Sequence, residues 1–209
     1  MFISTLDLFK VGIGPSSSHT MGPMSAAYMF REYLNSHFLD QIKPTWQVCC
    51  TLKGSLAHTG KGHATDLAIV MGLHGYLPTE LSHLDIDVLS ASLMKRGRLI
   101  LDNACTLKFN MVENLIFDKE ETLSQHPNGM VFKLFDAEGM EQHSEVYFSI
   151  GGGFVNTASE ISALEAPINM QSLEAYPYPF DSANKMIAMS ISSGLSISEM
   201  KQGNELSLA

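Results

Sequence analysis

An α+β fold, a mixed sheet with packed helices, is predicted by three features of this 209-residue chain. Two segments, 22–36 and 64–74, carry apolar residues at helical spacing, with Ala26, Met29, Phe30, Tyr33 and Leu34 on the first and Leu67, Val70, Met71 and His74 on the second. Four runs rich in β-branched and aromatic residues, at 45–53, 105–117, 130–137 and 142–150, read as strands. The order of these elements is mixed, so the sheet leans antiparallel instead of following a strict strand–helix alternation.

In chain order, residues 1–20 begin with a short apolar segment and end in a loop of Gly and Ser. Pro23 suits the first turn of the helix over 22–36. Thr45 to Lys53 form a strand, and a polar loop over 54–63 leads to the helix at 64–74. A short helix falls within 86–101, and 105–117 suits one strand. Ala137-Glu138-Gly139-Met140 turns a hairpin between 130–137 and 142–150. Residues 156–180 hold few periodic apolar positions and read as a linker. Asp181-Ser182 caps a helix to about 193, Gly194 ends it, and Ser196 caps another. The expected organisation is therefore a domain over 1–155, a linker over 156–180, and the beginning of a second domain, interrupted early, over 181–209.

Composition narrows the function. A 45% hydrophobic chain can bury a substantial core. A net charge of −9 and no basic run argue against nucleic acid or an anionic membrane as partner. No signal peptide or spanning segment is evident, so a cytoplasmic location is expected. Cys49, Cys50 and Cys105 are odd in number, and two are adjacent. They suit neither a disulfide framework nor a cluster loop and are expected to be buried thiols on a strand and beyond it.

Small polar residues, Gly and His gather in four places. Gly14-Pro15-Ser16-Ser17-Ser18-His19-Thr20 precedes a helix. Its amides and hydroxyls form either a carboxylate or phosphate cradle or simply a capped helix start. Gly60-Lys61-Gly62-His63 fails the Walker pattern because Gly62 follows Lys61. His63 would stand at the start of the next helix. There the dipole and Lys61 favour the neutral, proton-accepting imidazole; the alternative is a His used as a cap. His126-Pro127-Asn128-Gly129 either aims His126 and Asn128 into a cleft or makes a turn. Ser149-Ile150-Gly151-Gly152-Gly153 either opens its amides to a ligand or is a flexible strand exit. His37, His58, His74, His83 and His143 show no metal spacing.

Taken in order, Leu8 to Met24, Gly54 to Asp66, His126 to Met130 and Tyr147 to Val155 resemble the single-chain bacterial iron–sulfur L-serine dehydratases, in their N-terminal β domain. Tyr178-Pro179-Phe180 and Gly194 to Glu199 are similar to that family's linker and the start of its α domain. The resemblance implies conversion of L-serine to pyruvate and ammonia without pyridoxal phosphate. It implies a [4Fe–4S] cluster as Lewis acid, held by cysteines of a domain this sequence does not show, and a homodimer. By motif it implies His63 as the base. Ser16, Ser17, Ser18, His19, Thr20 and Lys61 would shape the substrate pocket, and His126, Asn128, Ser149 and Gly151 would line its other side. His58 and Gly129 depart from the usual residues, an apolar side chain and Thr. The isolated chain is then expected to be inactive. The competing expectation is a non-catalytic small-molecule-binding or assembly module.

Overall fold

The computed structural model describes residues 12–164, 176–180 and 182–207. The opening segment 1–11, the middle of the expected linker, and Asp181 lie outside the described residues. The chain divides into two compact units, one of residues 10–162 and one made of the remaining ends.

The larger unit is built on a seven-stranded sheet. In chain order it holds α1 (Gly22–His37), β1 (Gln47–Gly54), α2 (Ser55–Thr59), α3 (Thr65–Leu73), α4 (Ile86–Arg96), β2 (Arg98–Ile100), β3 (Thr106–Lys108), α5 (Met111–Asn114), β4 (Leu115–Asp118), β5 (Asn128–Phe135), β6 (Glu141–Gly151), β7 (Phe154–Thr157) and α6 (Ala158–Leu164). The strand order is β2-β3-β1-β5-β6-β7, with β4 also pairing β1. β1 is the hub, antiparallel to β5 and parallel to both β3 and β4. The remaining pairs, β2–β3, β5–β6 and β6–β7, are antiparallel. The expected α+β class with a mixed sheet is what forms.

One face of the sheet is the core. Along β1, Val48, Cys50 and Leu52 are fully buried while Gln47, Cys49 and Thr51 are only half-buried, the period-two alternation of a strand covered on one side. Phe132 on β5 meets Phe30 of α1 with ring centroids 5.1 Å apart. Both rings are buried completely, each worth about 1.5–3 kcal/mol of apolar transfer. α3 packs along α1, where Gly72 stands because a Cβ there would lie 2.2 Å from the Met24 carbonyl oxygen. The other face stays half-open. It forms a cleft of about 740 Å³, and at its edge Lys53 pairs with Asp118 and Glu121.

Two expectations change. The single strand over 105–117 is broken into β3, α5 and β4. Asn110 caps α5 by accepting from the Val112 N–H, and the Asn114 side chain accepts from the Asn110 N–H at 2.7 Å and donates to Cys49 Sγ at 3.3 Å. That turn lets β3 and β4 lie one after the other along the same edge of β1. The short helix expected within 86–101 forms as Ile86–Arg96; Gly97 ends it in a left-handed conformation (φ +61°) and β2 follows. Residues from 156 onward begin inside strand β7 and continue into α6, so the larger unit runs past the expected boundary, to Ser162. Of the cysteines, Cys50 is buried and Cys49 and Cys105 are partly exposed.

In the smaller unit, α7 (Ala183–Ser193) is capped by Ser182 and closed by left-handed Gly194, as its sequence predicts. α8 (Ile197–Leu206) starts with a capping box in which Ser196 and Glu199 exchange side-chain-to-backbone bonds. Asn204 ties α8 to Tyr178 through two 2.9 Å bonds, one from the Tyr178 N–H and one to its carbonyl. Among the described residues, no helix is long and apolar enough to cross a membrane.

Candidate active site

The Ser-rich loop folds into a widened helical turn, Ser17–Met21, that runs directly into α1. Ser16 is extended and caps it, accepting from the His19 N–H at 3.2 Å. The turn fixes the His19 ring between two hydroxyls, with Ser18 Oγ 3.0 Å from Nδ1 and Ser55 Oγ 2.9 Å from Nε2. Thr20 is buried and donates to the His63 carbonyl at 2.7 Å, while Thr65 donates back to the His19 carbonyl. These reciprocal bonds clamp the two loops together. Gly14 is required in the clamp, because a Cβ there would stand 2.5 Å from Thr20 Oγ1 and 2.9 Å from the His63 carbonyl oxygen. Ser17 stays exposed.

The second loop starts where β1 ends. Gly54 has φ +57°, and a Cβ there would lie 2.3 Å from the Pro127 carbonyl oxygen. That carbonyl accepts from the Ser55 N–H at 2.8 Å, which fastens the second loop to the third. After α2, a tight turn over Gly60–His63 ends at left-handed Ala64, and α3 begins at Thr65. His63 therefore does not cap α3; the cap position belongs to Ala64, with no side-chain bond. Instead His63 Nδ1 lies 3.0 Å from the Thr59 carbonyl oxygen. A carbonyl only accepts, so Nδ1 carries the proton. In the neutral ring Nε2 is then an open acceptor, without a partner among the described residues. The His19 and His63 rings are 5.0 Å apart. Burial, and secondarily the positive form of His63, lower the His19 pKa, which favours its neutral ring. Lys61 carries its ammonium over the Phe117 ring at 5.3 Å.

The third and fourth segments meet through Asn128. Its N–H donates to His126 Nδ1 at 3.1 Å, and its buried amide donates to the Ser149 carbonyl at 3.1 Å. His126 thus has its acceptor nitrogen occupied, so its neutral ring presents Nε2–H as a donor. Burial lowers its pKa as well. Ser149 lies fully buried, its hydroxyl without a partner among the described residues and directed at Gly22, where a Cβ would sit 2.0 Å from Ser149 Oγ. Gly151, Gly152 and Gly153 all take positive φ and turn β6 into β7. Gly129 sits where a Cβ would be 2.7 Å from Leu123 Cδ1, so a larger residue needs Leu123 to move.

The described loops thus bring Ser16, Ser18, His19, Thr20 and His63 together. Through Ser55 and Pro127 they join them to His126, Asn128 and Ser149. Ser55 belongs to this network although its sequence context did not single it out. Only the end of β1 at Gly54 aims it at His19, and that end is not visible in local composition.

The model of the serine dehydratase beta chain family matches residues 4–160, the stretch that carries all four loops. The chain belongs to that family. Relatives over nearly the whole chain are similarly named. The L-serine dehydratase of Haemophilus influenzae is 38% identical over 99% of this chain and 44% of its own length. That of Streptomyces coelicolor is 36% identical over 98% of this chain and 44% of its own. L-serine dehydratase TdcG of Escherichia coli is 40% identical over 99% of this chain and 44% of its own. The chain therefore spans less than half the length of these relatives.

Among the described residues, no three His, Cys, Asp or Glu groups are placed to hold a metal ion. Cys50 is buried in the core with its thiol pushed well up by burial, Cys49 receives the Asn114 amide, and Cys105 points at the Ile42 carbonyl. These donors do not fit a [4Fe–4S] cluster. What the four loops can do is hold a small polar substrate among hydroxyls and present one open imidazole acceptor and one imidazole donor.

Proposed function

We propose that this chain supplies the base and the polar pocket of an L-serine dehydratase, which converts L-serine to pyruvate and ammonia without pyridoxal phosphate. The observation that carries this reading is the division of labour among three imidazoles. His19 has both nitrogens engaged by hydroxyls, His126 has its acceptor engaged by Asn128, and His63 alone of the three offers a free acceptor. A base must take the α-proton of serine, and an unprotonated Nε2 open to substrate meets that need. Ser16, Ser17, Ser18, His19 and Lys61 would shape the substrate pocket, with buried Thr20 holding that loop to the His63 carbonyl, His126 and Asn128 on the opposite side, and Ser149 and Gly151 behind them. A [4Fe–4S] cluster in the assembled enzyme belongs to this reading, with ligands outside this chain. A homodimer, a cytoplasmic location, and the division into a β domain, a linker and the start of an α domain are further parts of the proposal.

The test is His63→Ala in the assembled enzyme, with kcat followed on L-serine. A fall of about 100-fold or more, the scale of a positioned base, supports the reading. A variant with kcat near wild type, beside a His126→Ala variant that is dead, exchanges the two roles. If neither change matters, the catalytic reading falls and a binding or assembly module takes its place. Residues 1–209 alone are expected to be colourless and inactive. A stoichiometric cluster with pyruvate production after anaerobic reconstitution overturns that expectation.

A further inference from the structure

Ser55 is the first residue after β1 and the first of α2. Two of its polar groups reach other segments, and the third is held within α2. Its N–H donates to the Pro127 carbonyl at 2.8 Å, its carbonyl accepts from Thr59 Oγ1 at 2.9 Å, and its hydroxyl meets His19 Nε2 at 2.9 Å. Gly54 holds it there through the close approach of the 126–128 loop described above. On the other side of His19, Ser18 Oγ meets Nδ1 and lies 3.4 Å from Ser16 Oγ. The result is a continuous row of polar atoms: Ser16, Ser18, the His19 ring, Ser55. A ring wired at both nitrogens cannot turn without breaking a bond. If both flanking hydroxyls keep fixed senses, only one neutral tautomer is satisfied.

We propose that Ser55 is a positioning residue, whose hydroxyl sets the tautomer of His19 and holds that ring 5.0 Å from His63. It acts through His19 and touches no reacting atom. The inference rests on the site reading above for its catalytic meaning, but the wiring itself is tested without turnover. His63 is the titratable group acting on His19, and burial is the larger influence.

The test uses nitrogen-15 histidine spectra of the whole chain, with a pH titration of each ring. In the wild type, His19 is expected in one tautomer with a midpoint below the ordinary histidine value. Ser55→Ala is expected to mix the tautomers and move the midpoint upward as water reaches the ring. The His143 signals, from a ring stacked on Tyr33, should not change and so report an intact fold. Ser55→Thr and Ser55→Val form a second pair, alike in shape and different in the hydroxyl. Thr should keep the wild-type His19 signature and Val should lose it, whether or not the Ala variant folds. Identical His19 spectra in Thr and Val, or an unchanged His19 in a folded Ala variant, overturn the inference. That result leaves the function reading standing, since the latter is decided by turnover of the His63 and His126 variants.

Discussion

The larger unit builds two histidine clusters and treats them in opposite ways. At the loop end of β1, His19 and His63 sit among hydroxyls and carbonyls, and every bond to the rings is a directed hydrogen bond. Where α1 meets β6, His143 of β6 lies flat against Tyr33 at 4.3 Å, with His37 on the other face of that tyrosine at 4.1 Å. Phe30 and Phe38 complete the surround, and His143 Nε2 is buried without a partner among the described residues. Burial lowers the pKa of both His19 and His143. The same shift thus has two meanings. Where polar partners orient the nitrogens it accompanies a neutral ring held by hydrogen bonds, and where aromatic faces surround the ring it marks a desolvated packing element. A lowered histidine pKa by itself does not identify a site.

The contrast is broken most directly by turnover. In the assembled enzyme His63→Ala should cost about 100-fold or more in kcat, whereas His143→Ala should leave kcat within a few-fold of wild type. Comparable losses in both would erase the distinction. His126→Ala should show mainly as a raised KM with a smaller fall in kcat, since its neutral ring offers a donor and not a base; steady-state kinetics on L-serine separates the two.

Stability reverses the ranking. Phe132→Ala removes the ring that stacks on Phe30 beneath His143, and chemical denaturation should register a loss of about 3–5 kcal/mol. His143→Phe keeps the stacked plane and removes the unpartnered buried nitrogen, so it should gain about 1 kcal/mol. A loss of stability there would mean that Nε2 has a partner in solution. The pH dependence follows from the sign of the shift. A histidine whose folded pKa lies below its unfolded value binds fewer protons when folded, so its contribution is present above the unfolded pKa and lost as pH falls through the folded one. His19, His74, His126 and His143 all shift downward from 6.5, and the chain should weaken as pH falls from that value. His143→Phe should flatten part of that slope in denaturation midpoints taken across pH, and an unchanged slope would remove His143 from the set.

Much of this was legible in the residues. α1, β1, α3 and the β5–β6 hairpin lie within two residues of their sequence-predicted bounds; α1 and β1 are amphipathic segments whose period matches a half-covered position, and α3 is an apolar run buried on nearly every side. The break over 105–117 was not legible. It depends on Asn114 reaching both the Asn110 backbone and Cys49, a contact across 65 positions of sequence. β7 was hidden because Gly151-Gly152-Gly153 reads as amides open to a ligand or as a flexible strand exit, and only pairing with β6 shows the chain turning back into a strand. In the site, the motif order singled out His63, His19, His126 and Asn128, which the fold gathers. It could not show that Ser149 turns its hydroxyl inward against Gly22, nor that Ser55 completes the row.

The pairing of β1 with β5 has one more consequence. Gly54 and Asn128 are Cα partners at the end of that ladder, so Ser55 and His126 hang from opposite sides of its last rung. The span between them is therefore measured out by the sheet, in steps of about 3.4 Å per residue. Slipping the ladder by one step would turn Val48, Cys50 and Leu52 out of the core, a cost of several buried side chains. Oily residues far from any substrate thus act as the graduations of a ruler, and the spacing of the polar loops is as stable as the core that calibrates it.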